Sequence, residues 1–175
     1  MEIVIILGLI FFNGILSMSE IAMVSARKSR LETAAKKGSK TAKTALRLAN
    51  EPDRFLSTIQ IGITLIGILT GLYSGEALAG DLARWLETIG IPQAHSLTLA
   101  KGIIVILVTY LTLILGELVP KHLGMNAPEK IARLIARPME VLSKIASPFV
   151  WLLSASTQAV IRLTGLHTST ENKVT

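Results

Sequence analysis

Two carboxylates stand where carboxylates are costly. Glu20 interrupts an apolar run from Ile3 to Ala26, and Glu117 interrupts another from Leu97 to Val119. An ionisable side chain inside a bilayer-length stretch points to an ion pathway or a counter-charge. The neighbours of Glu117 strengthen its case. The string is Gly116-Glu117-Leu118-Val119-Pro120-Lys121. Proline has no N–H, and its ring clashes with the carbonyl four residues earlier, which here is Gly116. The helix is expected to kink and to leave the Gly116 carbonyl without its usual partner. A free carbonyl beside a carboxylate at membrane depth is a cation ligand set, and broken helices of this kind build transporter sites. The plainer alternative is a Glu117–Lys121 pair at i,i+4. Glu20 has its own alternative, a pairing with Arg27 or Lys28 at the interface.

Other oxygens accompany the carboxylates. Ser57, Gln60, Thr64, Gly67, Gly71 and Ser74 are spaced 3, 4, 3, 4, 3, which predicts one helical face. That face is expected to line a polar cavity shared with Glu117. Gly67, Gly71 and Gly75 form small-xxx-small steps that permit close helix approach. Asn13, Ser17 and Glu20 share a face of the first run, with Ser19 beside them. Thr109, Thr112 and Gly116 share one on the third. There is no cysteine, and His95, His122 and His167 lie outside the apolar runs. Oxygen-only ligation suits Mg²⁺ or Ca²⁺ over Zn²⁺ or copper. With no nucleophile–base pair, phosphate loop or metalloprotease motif, the sequence reads as a non-enzyme.

The elements that must position these groups are apolar helices. Half of the 175 residues are hydrophobic and 17% are charged, which excludes a disordered chain. A nucleic-acid-binding domain would match the net charge of +6 but not the long uncharged stretches, so no nucleic-acid partner is expected. A bilayer needs about 20 apolar residues per helix, and spans are predicted at about 3–26, 55–75 and 97–119. A secretory leader is disfavoured, since no small-residue cleavage site follows Ile15–Leu16. The run Ala146–Ile161 is shorter. Flanked by Pro138 and carrying Pro148, it reads as a re-entrant or interfacial hairpin rather than a fourth span. Residues 26–54 carry nine basic and three acidic side chains, residues 76–101 two and three, and residues 120–145 five and two. The positive-inside rule puts the first and third segments in the cytoplasm, with the N-terminus outside and the C-terminus inside. Residues 29–50 read as one basic helix on anionic headgroups, making membrane lipid a partner. Pro128–Arg137 reads as an amphipathic belt helix, with belt and hairpin filling about 127–165. Residues 166–175 read as a truncated linker. The expected fold class is an all-α membrane protein: three transmembrane helices, a cytoplasmic-side belt helix and a short hairpin.

Three strings then carry a resemblance. Ser17-Met18-Ser19-Glu20-Ile21-Ala22 closes the first span. Ser57-Thr58-Ile59-Gln60-Ile61-Gly62 opens the second. Gly116-Glu117-Leu118-Val119-Pro120-Lys121 ends the third. In this order, with a basic segment after the first, they resemble the transmembrane domain of the CNNM/CorC family, whose bacterial members are often labelled hemolysin-C-like. The resemblance covers about residues 1–165. It implies a homodimeric Mg²⁺ exporter, often sodium-coupled, in the bacterial inner membrane. It also implies a nucleotide-binding CBS-domain pair beyond this chain. Mg²⁺, as the transported substrate, would be held by Ser19, Gly116 and Glu117. Many family members carry asparagines where this chain has Ile63, Thr64 and Gly67, so two amide ligands are missing, which leaves Gln60 or Thr64 to substitute or water to fill the gap. Some hemolysin-like relatives with altered second spans are linked to polyamine export, which needs Glu20 and Glu117 but not the asparagines. A third reading is a non-transporting sensor or scaffold whose carboxylates only pair with Lys121 and the basic segment.

Overall fold

The computed structural model describes residues 1–165, and every regular element among them is a helix. The first span is α1, Glu2–Ser25. It lies at the centre of the molecule and buries Ile6, Ile10, Asn13, Ser17 and Leu16 against the helices around it. Its outward residues, such as Val4 and Phe11, are exposed. The three helices long and apolar enough to cross a membrane are α1, the second long helix, and the third helix over Gln93–Asn126. They fit an integral membrane protein, whose exposed apolar side chains face lipid.

The basic segment forms two helices rather than one. Helix α2, Lys28–Lys36, ends at a tight turn, and α3, Lys40–Asn50, begins after it. Gly38 sits at φ 91°, the left-handed conformation that ends many helices. The Ser39 N–H reaches back to the Ala34 carbonyl, and the Ser39 hydroxyl then accepts the Ala42 N–H at 3.3 Å. One helix cannot run through a residue that closes one helix and caps the next. The weakly apolar side of this hairpin meets protein. Leu31, Ala45 and Ala49 join a core with Met23, Phe55, Ala132, Ile135 and Met139.

Helix α4, Pro52–Thr88, has 37 residues and starts with proline in its first turn, where the missing N–H costs nothing. At 1.5 Å per residue it is about 55 Å long, against about 30 Å of hydrocarbon. It therefore continues well past the predicted end at residue 75. A turn at Gly90 (φ 99°) returns the chain into α5, Gln93–Leu113. Ala79, Ala83 and Leu86 pack there on Ala100, Ile104 and Val108. The Ser96 hydroxyl donates to Glu87 Oε1 at 2.7 Å, tying the hairpin end. The third helix continues through a π-helical turn, Ile114–Leu118, into α6, Val119–Asn126.

The predicted hairpin is not formed. Residues Pro128–Leu163 make one helix, α7, with Pro138 and Pro148 inside it. Each proline removes one backbone donor, but the buried stripe Ala132, Ile135, Ala136, Met139, Ser143 and Ala146 keeps helical spacing across Pro138. The packing of that stripe outweighs the lost bond. Beyond Ala146 the helix leaves the core, and Phe149, Trp151 and Leu152 are exposed. The predicted linker, 166–175, lies outside the described residues.

Candidate functional site

The π-helical turn lies against α1. Proline 120 cannot donate, and the chain answers by widening rather than breaking: the Val119 N–H bonds the Ile114 carbonyl, five residues back. Such turns expose backbone oxygens without ending a helix. The Gly116 carbonyl meets α1 here. It accepts a hydrogen bond from Asn13 Nδ2 at 3.0 Å, in a buried setting. The carbonyl expected to be free is thus held by a side-chain amide.

Close approach makes this contact possible. A methyl group on Gly116 would meet Asn13 Nδ2 at 3.2 Å and the Ile10 carbonyl oxygen at 3.3 Å. One on Gly14 would meet Pro120 at 2.9 Å and the Leu115 carbonyl oxygen at 3.0 Å. One on Gly124 would strike Ile21 and the Met18 carbonyl oxygen, the latter at 2.8 Å. Three glycines therefore bring two backbones together along one seam.

Asn13 is 5% exposed, and its Oδ1 is buried with no hydrogen-bond partner. Reversing the amide would aim Oδ1 at the Gly116 oxygen, two acceptors facing each other, so the orientation is chemically fixed. A buried acceptor without a partner is costly and calls for a function or a bound group. Sequence reasoning placed Asn13 on the polar face of α1 but did not count it among the ligands. Its signal was an amide one turn before Ser17, the first polar side chain in the apolar run.

Among the described residues, no hydrogen bond joins the other predicted residues to Asn13 or to the Gly116 carbonyl. Ser19 is fully buried, and its hydroxyl donates to the Ile15 carbonyl at 2.6 Å. The donor is used within α1, while the oxygen keeps its acceptor capacity. Glu20 is half-buried and has no ion-pair partner among the described residues. Glu117 is half-buried and pairs with Lys121, Nζ to Oε1 at 2.7 Å, as the i,i+4 spacing allows. Ser57 is half-buried, whereas Gln60 and Thr64 are exposed on α4.

The polar stripe of α4 does not keep to one face. Its mean step of about 3.4 residues lags the helical 3.6, so Ser74 lies about 100° round from Ser57. Thr70 and Ser74 turn inward, and each hydroxyl bonds its own helix, to Ile66 and Gly71 respectively. Gly67 and Gly71 face outward. A methyl group on Gly67, Gly71 or Gly75 would meet nothing within 4 Å. No group of three or more His, Asp or Glu side chains able to hold a metal exists among the described residues. Any cation at this seam would rest on hydroxyl, amide and backbone oxygens with few carboxylates.

These features define a class: a three-span helical membrane domain whose third helix carries a π-helical turn sealed onto the first. Residues 4–175 match the family described as the cyclin M transmembrane N-terminal domain, CNNM, and the chain belongs to that family. The chain is 46% identical over 175 residues to the UPF0053 protein sll0260 of Synechocystis, covering all of this chain and 39% of that protein. It is 31% identical over 171 residues to the UPF0053 protein YhdT of Bacillus subtilis, covering 98% and 37%. It is 30% identical over 162 residues to the polyamine export protein of Escherichia coli K12, covering 93% and 36%. The chain spans less than two-fifths of the length of these relatives.

Proposed function

We propose that this chain is the membrane-embedded unit of a bacterial divalent-cation exporter, with Mg²⁺ as its substrate. The observation that carries the reading is the buried, partnerless Asn13 Oδ1 beside the Gly116 carbonyl, on a seam two backbones share. Asn13 Oδ1, Ser19 Oγ, the Gly116 carbonyl and the Glu117 carboxylate are all hard oxygen donors, the type that suits Mg²⁺. Lys121 holds Glu117 in the absence of a cation, and Mg²⁺ would displace it. Sodium is the proposed coupling ion. Glu20, unpaired on α1, supplies a second negative charge toward the cytoplasmic end. The proposed orientation puts the N-terminus outside, with α2, α3 and α7 at the cytoplasmic face of the inner membrane. A second copy is proposed to cover the glycine face of α4 and bring Ser57, Gln60 and Thr64 to the pathway. A nucleotide-binding CBS pair would follow in the longer protein.

A second reading has its own support. One relative is named a polyamine export protein, and Ile63 and Gly67 provide no amide oxygen on α4. A diamine needs two counter-charges, and Glu20 and Glu117 provide them. Flux into vesicles separates the readings. With the chain reconstituted, Mg²⁺ uptake that Asn13→Ala reduces at least tenfold, with putrescine uptake absent, supports the Mg²⁺ reading. Putrescine uptake that depends on Glu20 and Glu117 but ignores Asn13→Ala supports the second. No flux of either from a well-folded protein rejects both in favour of a scaffold.

A further inference from the structure

A separate cleft of about 180 Å³ opens where α3, α4 and α7 meet, away from the α1 seam. Its polar lining is Arg47 from α3, Glu51 and Arg54 at the start of α4, and Glu140, Ser143 and Lys144 from α7. The volume is below the range of pockets that hold drug-sized molecules, so it suits a small charged group.

The charges favour an anion. Arg47 Nη1 pairs with Glu140 Oε1 at 3.1 Å, and Arg54 Nη1 lies 3.8 Å from Glu51 Oε2. Lys144 has no acidic partner among the described residues, which leaves one positive charge uncompensated. The positive end of the α4 dipole opens at the same place, since Glu51 is the residue preceding that helix and makes no side-chain cap. Ser143 supplies the second, independent observation. It is 4% exposed, yet it lines the cleft, and its hydroxyl has no hydrogen-bond partner among the described residues. Most helical serines in this molecule that bond at all bond their own backbone, as Ser19 and Ser156 do. The little of Ser143 that is accessible faces the cleft, and a hydroxyl left open there beside an unpaired lysine is a donor available to an acceptor.

We propose that this cleft binds a phosphate group, with Ser143 Oγ and Lys144 Nζ as its inner donors and Arg47 and Arg54 as its outer clamp. A phosphodiester of an anionic lipid and a soluble phosphate present the same chemistry. Guanidinium groups recognise it through paired N–H donors.

The test uses the full chain in neutral detergent, with thermal stability read against three added probes. These are phosphatidylglycerol, phosphatidylcholine and inorganic phosphate. Stabilisation by phosphatidylglycerol over phosphatidylcholine assigns the site to a lipid headgroup, and saturable stabilisation by inorganic phosphate assigns it to a soluble phosphate. In either case Lys144→Gln should weaken binding about fivefold, as loss of one near-surface basic charge predicts. Ser143→Ala should weaken it too, although it removes no charge. Lys130→Gln, a basic position of α7 outside the cleft, should leave it unchanged. The proposal is overturned if neither anion stabilises the protein. It is equally overturned if Lys130→Gln matches Lys144→Gln while Ser143→Ala has no effect, because that pattern describes a diffuse basic surface.

Discussion

Gly14, Gly116 and Gly124 lie where α1 meets the third helix; a side chain would collide with a neighbour at Gly14 and Gly124 and would crowd Asn13 and Ile10 at Gly116. Gly67, Gly71 and Gly75 lie on α4, and none has a neighbour within reach. Both sets are glycines on membrane-length apolar helices. At the seam they bring an amide onto a carbonyl and leave one buried oxygen unanswered. On α4 they leave Gln60 and Thr64 facing out. Within a bilayer, apolar surface alone does not drive helices together, so close packing and interhelical hydrogen bonds decide which faces join. The seam has both features within one chain. The α4 face has the residues for them but no neighbour among the described residues, and it is the face proposed above to meet a second copy.

Substitutions test this contrast. The largest effect is expected for Gly124→Leu, where the new side chain meets Ile21 and the Met18 backbone. It should cost about 3 kcal/mol or prevent folding, read by thermal unfolding in detergent. Gly71→Leu should stay within about 0.5 kcal/mol for the single chain, and should instead shift sedimentation toward monomer. Equal losses from the two would erase the distinction. Next comes Asn13→Leu, which strips the Gly116 carbonyl of its side-chain partner and should cost about 1–2 kcal/mol. If it stabilises the protein, the unpaired Oδ1 was a burden without a purpose.

The smallest effect lies outside the membrane. Glu129, at the start of α7, is held below the ordinary carboxylate range. Its own backbone N–H is the main cause, joined by the Arg27 N–H and the charges of Arg30 and Arg27, against some desolvation. A carboxylate lowered on folding stabilises above its unfolded pKa and loses that contribution as pH falls through the folded one. Wild type should therefore melt slightly above Glu129→Gln at pH 7, and the gap should close on acidification. A gap that widens in acid would reverse the sign.

The sequence made the three spans legible because bilayer-length apolar runs are a one-dimensional signal. It also located the irregular turn, since Gly116 and Pro120 constrain the backbone locally, and it placed Glu117 within reach of Lys121. Gly38-Ser39 carried a readable stop-and-cap signal that the lysine-rich composition concealed. Other features depend on tertiary context. Which way α4 turns its stripe depends on its neighbours, and the drift between a 3.4 and a 3.6 period moved Ser74 inward. Pro138 and Pro148 looked like breakers, but the helix runs through both, and at Pro138 the buried stripe of α7 overrides the lost bond. That Asn13 reaches Gly116, 103 residues away, follows from packing.

We propose that Glu117 is a cation ligand borrowed by Lys121, not half of a structural ion pair. Mg²⁺ flux in vesicles, compared between Glu117→Gln and Lys121→Gln, tests it most directly. Both substitutions break the same pair and each leaves one partner alone, so thermal unfolding in detergent is read alongside flux to show that both proteins fold. The account predicts that Glu117→Gln abolishes flux while Lys121→Gln retains it or raises it. Equal behaviour of the two variants, whether both active or both dead, would contradict it.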